Sequence, residues 1–236
     1  MKICVPSSGR SGKTTTDFLQ NSVFFVPENQ LDEYKLAIKN EIIPVPLEFS
    51  GITKTRNFIL DYFKDEKYIL FLDDDVKECG FFENGIRKNL LKKEFTKDWN
   101  EQFERCFDIT EQFGFEIFGV ESGGNLFANH IFKPISFNGS INGSVLGILN
   151  NGSKFDENFP VKEDFEFILR NYYKNGGFLK FNFFYWRTKH WANKGGCVDY
   201  RTNEMEEEAI KKLSRSYQKN IKTGKNKNKY HLSLKF

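Results

Sequence analysis

The chain has 236 residues, 39% hydrophobic and 28% charged, a balance that supports a packed core and excludes a disordered or fibrous polypeptide. Its net charge of +3 is too small to name a partner class, and no apolar stretch approaches membrane-spanning length. The four cysteines (Cys4, Cys79, Cys106, Cys197) have neither close metal spacing nor the density of a disulfide framework, and the opening residues turn polar too soon for a signal peptide, so a reducing, cytoplasmic setting is expected.

In chain order the pattern alternates. Lys2 to Pro6 and Val23 to Pro27 read as strands, Gln30 to Asn40 as a helix, and Ile42 to Pro46 as a strand. Ile52 to Phe63 reads as a helix with an apolar face, followed by a strand ending at Asp73. Such alternation predicts βαβ units and a parallel sheet. Beyond Asp75 the pattern loosens. Gly85 to Phe113 is charged and reads as mostly helical, and Phe115 to Val120 as a strand. Gly139 to Leu149 is rich in Gly, Ser and Asn. Val161 to Asn175 reads as a helix stopped by Gly176-Gly177, Phe178 to Trp186 as an aromatic strand, and Glu204 to Gln218 as a helix. One compact domain over 1–218, with a basic tail over 219–236, is the expected organisation. The tail carries Lys219, Lys222, Lys225, Lys227, Lys229 and Lys235 without an acid; it is either a phosphate-screening segment or a solvated terminus.

The most telling stretch is Tyr68-Ile-Leu-Phe-Leu-Asp-Asp-Asp75. A short apolar run suits a strand buried on both faces, and such a strand cannot carry three unpaired carboxylates. Asp73, Asp74 and Asp75 therefore belong just past its carboxyl end, the edge where open α/β sheets bind ligands. A divalent cation shared with substrate phosphates is the simplest partner, and a polar turn is the plain alternative.

Ser7-Ser-Gly-Arg-Ser-Gly-Lys-Thr14 resembles a phosphate-binding P-loop after a strand, which would make the chain a nucleotide kinase or NTPase. Ser7 stands where that motif has Gly, and only about ten residues separate Lys13 from the next strand, short for such a unit.

Taken in order, five segments resemble those of GT-A nucleotide-sugar glycosyltransferases. They are Val5-Pro-Ser-Ser-Gly-Arg10, Gly51-Ile-Thr-Lys-Thr-Arg-Asn57, Leu72-Asp-Asp-Asp75, Lys162-Glu-Asp164 and Lys189-His190-Trp191. The opening, Val26-Pro-Glu28 and the Gly51–Asn57 segment are similar, more narrowly, to the TET-associated glycosyltransferases of phages, over about residues 2 to 200. The resemblance implies an α/β, Rossmann-like GT-A fold with a mostly parallel central sheet flanked by helices. It implies a hexosyltransferase that moves a sugar, glucose the expected one, from a UDP-sugar to the hydroxymethyl group of a 5-hydroxymethylpyrimidine in phage DNA, in the host cytoplasm. Its cofactor would be Mn2+ or Mg2+. A protein or surface glycan is the alternative acceptor.

The resemblance also assigns roles. Asp73 and Asp75 would hold the metal against the donor diphosphate, a poor leaving group until its charge is neutralised, with Asp74 nearer the ribose or base. Lys54 and Arg56 would meet the phosphates, and Asn57 would support the Asp loop; exposed helix residues are the alternative. Ser7, Ser8 and Arg10 would hold the nucleobase or ribose, unless they are a plain Ser-Gly turn. Asp164, beside Glu163, would be the general base of an inverting transfer, although acids in a first helical turn also serve the helix dipole. His190 would be a further metal ligand, or a structural residue packed on Trp191. Asn125 and Asn142, among Gly123, Gly124, Gly139 and Gly143, would let a sugar approach the backbone.

Overall fold

The structure is a computed structural model, and it describes residues 1–19, 21–83, 86–89, 98–121, 133–137, 139, 141–188, 196, 200–223 and 232–235. The first half runs β1 (Lys2–Pro6), β2 (Ser22–Pro27), α1 (Leu31–Ala37), β3 (Glu41–Val45), α2 (Ile52–Tyr62) and β4 (Tyr68–Leu72). A hairpin follows, β5 (Val76–Glu83) and β6 (Ile86–Asn89), then α3 (Asp98–Gln112), β7 (Ile117–Glu121), the short β8 (Ile135–Ser136) and β9 (Val145–Leu149). The chain continues through α4 (Glu163–Asn175), β10 (Leu179–Thr188) and α5 (Asn203–Ser216) to β11 (Ile221–Thr223) and β12 (Leu232–Leu234).

Ten strands form one sheet in the order β3-β2-β1-β4-β9-β7-β10-β5-β6, with β8 beside β10. The βαβ half is parallel throughout, as the alternation predicts. Beyond β4 the sheet is mixed: β9 runs antiparallel to both β4 and β7, and β10 is parallel to β7 but antiparallel to β5. Successive side chains of a strand face opposite sides, so each strand feeds two cores. Cys4, Phe25, Ile69, Phe71 and Leu146 pack in one cluster with residues of α2, α4 and α5. Ile3, Val5, Phe24, Leu70, Leu72 and Phe118 pack in the other with Tyr34 of α1 and Trp99, Phe103 and Phe107 of α3. This three-layer arrangement, with helices on both faces of one sheet, is the α/β class that the sequence predicts, although beyond β4 antiparallel pairings replace most of the parallel ones expected. At the sheet centre a Cβ on Gly147 would overlap the Phe118 ring, so only glycine lets β9 pass beneath that side chain.

Two expectations are corrected. Ile86–Asn89, inside the Gly85–Phe113 stretch expected to be mostly helical, is a strand paired with Val76–Glu83, and the helix of that stretch among the described residues is Asp98–Gln112. The cause is tertiary: β5 pairs with β10 across Phe184, Tyr185 and Trp186, and pairing of this kind overrides local propensity. The basic C-terminal stretch is not a free tail. β11 and β12 pair with each other, Leu234 is buried in the core, and the Asn220 side chain donates to the Lys235 carbonyl at 2.8 Å. Lys225, Lys227 and Lys229 lie outside the described residues.

The topology gathers one edge. β1 and β4 are parallel neighbours, so Ser7 and Asp73 leave them on the same side. β9 is antiparallel to β4 with Val145 opposite Leu72, which brings Asn142, Gly143 and Ser144 there. The register Thr188 opposite Val76 adds the end of β10 and the start of β5.

Candidate active site

The loop after β1 braces the acid run. Thr15 donates its backbone N–H to the Asp74 carbonyl at 2.9 Å and its hydroxyl to the Val76 carbonyl at 2.6 Å. Thr16 donates its hydroxyl to the Asp73 carbonyl at 2.7 Å. Turns, and no helix, occupy residues 7–19, and Lys13 N–H folds back onto the Arg10 carbonyl at 2.9 Å. A P-loop cradles phosphate at the N-terminus of the helix that follows it, so the kinase or NTPase alternative loses its structural basis here.

Ser7 and Arg10 converge on the same carboxylates. Arg10 N–H donates to the Tyr34 hydroxyl at 3.1 Å, Tyr34 and Ser7 share a hydrogen bond of 2.6 Å, and the Ser7 hydroxyl donates to Asp74. Burial pushes the Tyr34 phenol up, which keeps the proton this relay needs. The Arg10 guanidinium spans Asp74 at 2.6 Å and Asp75 at 3.1 Å. Both acids are buried, so a paired cation is required to hold them there. Ser8 contributes its carbonyl, which accepts from Gly196 N–H at 2.8 Å. Tyr34, Thr15 and Thr16 are not apparent from the sequence. Tyr34 reads there as an ordinary helix aromatic, and nothing local links it to Ser7.

Asp73 is the half-buried member of the run and makes no side-chain hydrogen bond to a described residue. Burial pushes its carboxyl up to about 8; Arg56 opposes this, and Asp75, Asp74 and Asp164 reinforce it. The edge therefore holds more negative charge than its described cations compensate, a setting that fits a divalent cation. Asp73 and Asp75 are oxygen donors of the kind that could hold Mg2+ or Mn2+, which keep waters and share substrate phosphates. Among the described residues no group of three His, Cys, Asp or Glu forms a closed metal site. His190 and Asn125 lie outside the described residues, although Thr188 and Gly196, on either side of His190, both adjoin this edge.

Asn142-Gly143-Ser144 joins the acid run to α4. The Ser144 carbonyl accepts from Asp73 N–H at 3.1 Å, while Gly143 N–H donates to Asp164 Oδ2 at 2.9 Å. Asn142 Oδ1 closes its own turn, accepting from Ser144 N–H at 3.1 Å and from the Ser144 hydroxyl. Arg56 comes up from α2 beneath the tripeptide, donating to Glu163 at 2.6 Å and to the Gly143 carbonyl at 2.9 Å. Burial pushes the Glu163 carboxyl up to about 7, with Arg56 opposing the shift and the adjacent Asp164 adding to it.

The α2 residues thus divide. Arg56 is 3% exposed and serves as an internal strut rather than an open phosphate contact. Lys54, two positions away and so on another face of the helix, stays exposed and reaches the Glu48 carbonyl at 3.4 Å. Asn57 holds the segment before α4 instead of the acid loop, accepting from Phe155 N–H at 2.8 Å and donating to the Phe155 carbonyl at 3.0 Å.

The acid run, the buried cations and the carboxylate on a second helix acquire a context from known proteins. The model of the TET-associated glycosyltransferase family matches residues 1–196. The chain belongs to that family. This TET-associated glycosyltransferase is also similar to two crystal structures of S. aureus TarS, one of residues 1–349, each at 15% identity and TM-score 0.47. The alignments cover 78% and 91% of this chain, but only 60% and 40% of the TarS chains. A UDP-glucose pyrophosphorylase complexed with UDP-glucose is similar over 93% of this chain and 99% of its own, at 10% identity and TM-score 0.40. No curated protein matches the chain.

One pH-dependent prediction follows from Asp73. Its folded pKa lies above the ordinary 3.8, so the fold retains a proton that the unfolded chain releases as pH rises from about 4 to about 8. The associated destabilisation is absent at low pH and complete above about 8. In chelator, urea unfolding of Asp73→Asn should gain about 2 kcal/mol or more over the parent between pH 4 and 8. Parallel stability curves for the two proteins would refute this account of Asp73.

Proposed function

We infer that this glycosyltransferase moves a hexose from a UDP-sugar, with UDP-glucose the expected donor, onto the hydroxymethyl group of a 5-hydroxymethylpyrimidine in phage DNA, with inversion at the sugar. Family membership supports the class of reaction. The observation that carries the site assignment is the Asn142-Gly143-Ser144 bridge, which sets Asp164 and the acid run at one sheet edge.

Asp164 receives the proton of the acceptor hydroxyl through one carboxylate oxygen. The acceptor oxygen then bonds to the anomeric carbon as the bond from that carbon to the diphosphate oxygen breaks, and UDP leaves with the bonding pair. Gly143 N–H and Phe165 N–H, at 2.9 Å from Asp164 Oδ2 and Oδ1, fix the plane of this carboxylate. Asp73 and Asp75, with His190 the proposed third ligand, would hold a Mn2+ or Mg2+, which when bound would supply positive charge for a departing diphosphate. Ser7, Ser8 and Arg10 shape the nucleoside side of the site, and Asn125 and Asn142 the sugar side.

UDP release from a panel of UDP-sugars with Mn2+, with and without hydroxymethylated DNA, tests this reading. Release that needs the modified DNA, with a matching mass gain on the base, supports it. DNA-independent release redirects the acceptor to a glycan or protein, and the absence of release with every UDP-sugar overturns the donor assignment.

Lysines near the C-terminus supply backbone affinity in this proposal. Removing everything after Lys219 would also remove the buried Leu234 and Asn220, whose side chain accepts from the Tyr173 hydroxyl at 2.6 Å, so it confounds stability with binding. The cleaner test is Lys225, Lys227 and Lys229 changed together to Gln. The slope of log affinity against log salt should flatten by roughly one unit for each phosphate that is no longer neutralised. An unchanged slope removes these lysines from the DNA interface.

A further inference from the structure

Tyr200, Arg201 and Glu206 lie beyond the matched family segment, yet they grip the two helices that build the site. The Tyr200 hydroxyl accepts from Ile52 N–H, the first residue of α2, at 3.2 Å and lies 3.5 Å from the Pro160 carbonyl. In the first turn of α5, Glu206 is 2% exposed and forms ion pairs with Lys162 at 2.8 Å and Arg201 at 3.0 Å. A carboxylate this deep stays only while its cations stay with it.

Lys162 is the unusual partner. It is the residue immediately before Glu163 and Asp164, and its backbone is left-handed, at φ 59° and ψ 25°. Among the described residues it is the one non-glycine with positive φ. A side chain with a Cβ avoids this conformation unless its surroundings enforce it, and such positions gather where chemistry is done. The Lys162 carbonyl accepts from Glu166 N–H at 3.2 Å, so the strained residue sets the entry to α4 and the direction from which Asp164 projects. Thr53, donating to the Phe159 carbonyl at 2.6 Å, ties α2 to the same turn.

We propose that Glu206 is a positioning residue for glycosyl transfer: by anchoring Lys162 it holds the left-handed turn that presents Asp164 to the acceptor. Glu206 itself touches no substrate. The inference rests on Asp164 being the base.

Transfer kinetics on the full chain test it, with donor and acceptor varied separately and each rate normalised to folded protein. Glu206→Gln should lower kcat at least tenfold while the donor KM stays within threefold. At position 162 the order is diagnostic, because glycine adopts positive φ freely and methionine does not. Lys162→Gly should retain several-fold more kcat than Lys162→Met. A normalised kcat within twofold of the parent for Glu206→Gln overturns the proposal, as does Lys162→Met equalling or exceeding Lys162→Gly. If Glu206→Gln does not fold, the Lys162 pair decides alone. Asp164→Asn separates the two levels: an active Asp164→Asn refutes the base itself, whereas an inactive Asp164→Asn beside a fully active Glu206→Gln refutes only the positioning role.

Discussion

Asp164→Asn is expected to lower transfer by about 10²- to 10⁴-fold, the range a positioned general base contributes. The substitution keeps the size of the side chain, and an amide oxygen can still accept from Gly143 N–H, as Asp164 Oδ2 does at 2.9 Å. It cannot take a proton from a hydroxyl. The proposed donor site draws on other elements, so UDP-sugar affinity should stay within about threefold if the groups assigned to the donor are left in place. Near-normal turnover in Asp164→Asn would move the base elsewhere. A parallel loss of donor affinity would mean that Asp164 belongs to the donor site instead.

Gly143→Ala should be nearly as damaging, for a different reason. A Cβ at this position would stand 2.6 Å and 2.8 Å from the two terminal nitrogens of Arg56 and 3.1 Å from its guanidinium carbon. Arg56 has nowhere cheap to go. It is sandwiched near the Phe71 and Phe155 rings, and its movement would strip Glu163, itself 5% exposed, of its cation. Breaking a buried pair in this way costs about 3–5 kcal/mol. The same residue supplies the N–H that orients Asp164, so a stability loss of about 3 kcal/mol should accompany at least a hundredfold loss of transfer. Thermal unfolding and single-turnover transfer read the two effects separately. A fully stable, fully active Gly143→Ala would show that the bridge between the acid run and α4 has slack.

How much of this is legible in the chain depends on distance along it. The parallel half is readable because short apolar runs alternate with helical patterns, and the acid run is readable because three carboxylates cannot follow a buried strand without a task. Arg56 shows where reading stops. On α2 it looks like a surface cation, and only Glu163, 107 positions later, makes it an internal one. Tyr34 is obscured in the same way, since its hydroxyl meets Ser7 across 27 positions. The β5–β6 hairpin is hidden because its partner, β10, lies about a hundred residues downstream in the register Phe184 opposite Phe81. Pairings of that span are set by the assembled sheet and leave little local trace. The boundaries of α2, α4 and α5, in contrast, fall within a few residues of expectation, with α4 beginning at Glu163 and ending at Asn175 before a left-handed Gly176.

Thr15 and Thr16 fasten the carbonyls of Asp73, Asp74 and Val76 from within the chain. The acid run is thus held by contacts that the fold itself supplies. Donor capture should then behave as a near-rigid docking event, with little loop-ordering entropy set against the attraction between site and ligand. A calorimetric comparison makes the consequence concrete: Thr15→Val together with Thr16→Val should make donor binding entropically less favourable while its enthalpy changes little, because the loop would have to be assembled anew each time a donor enters.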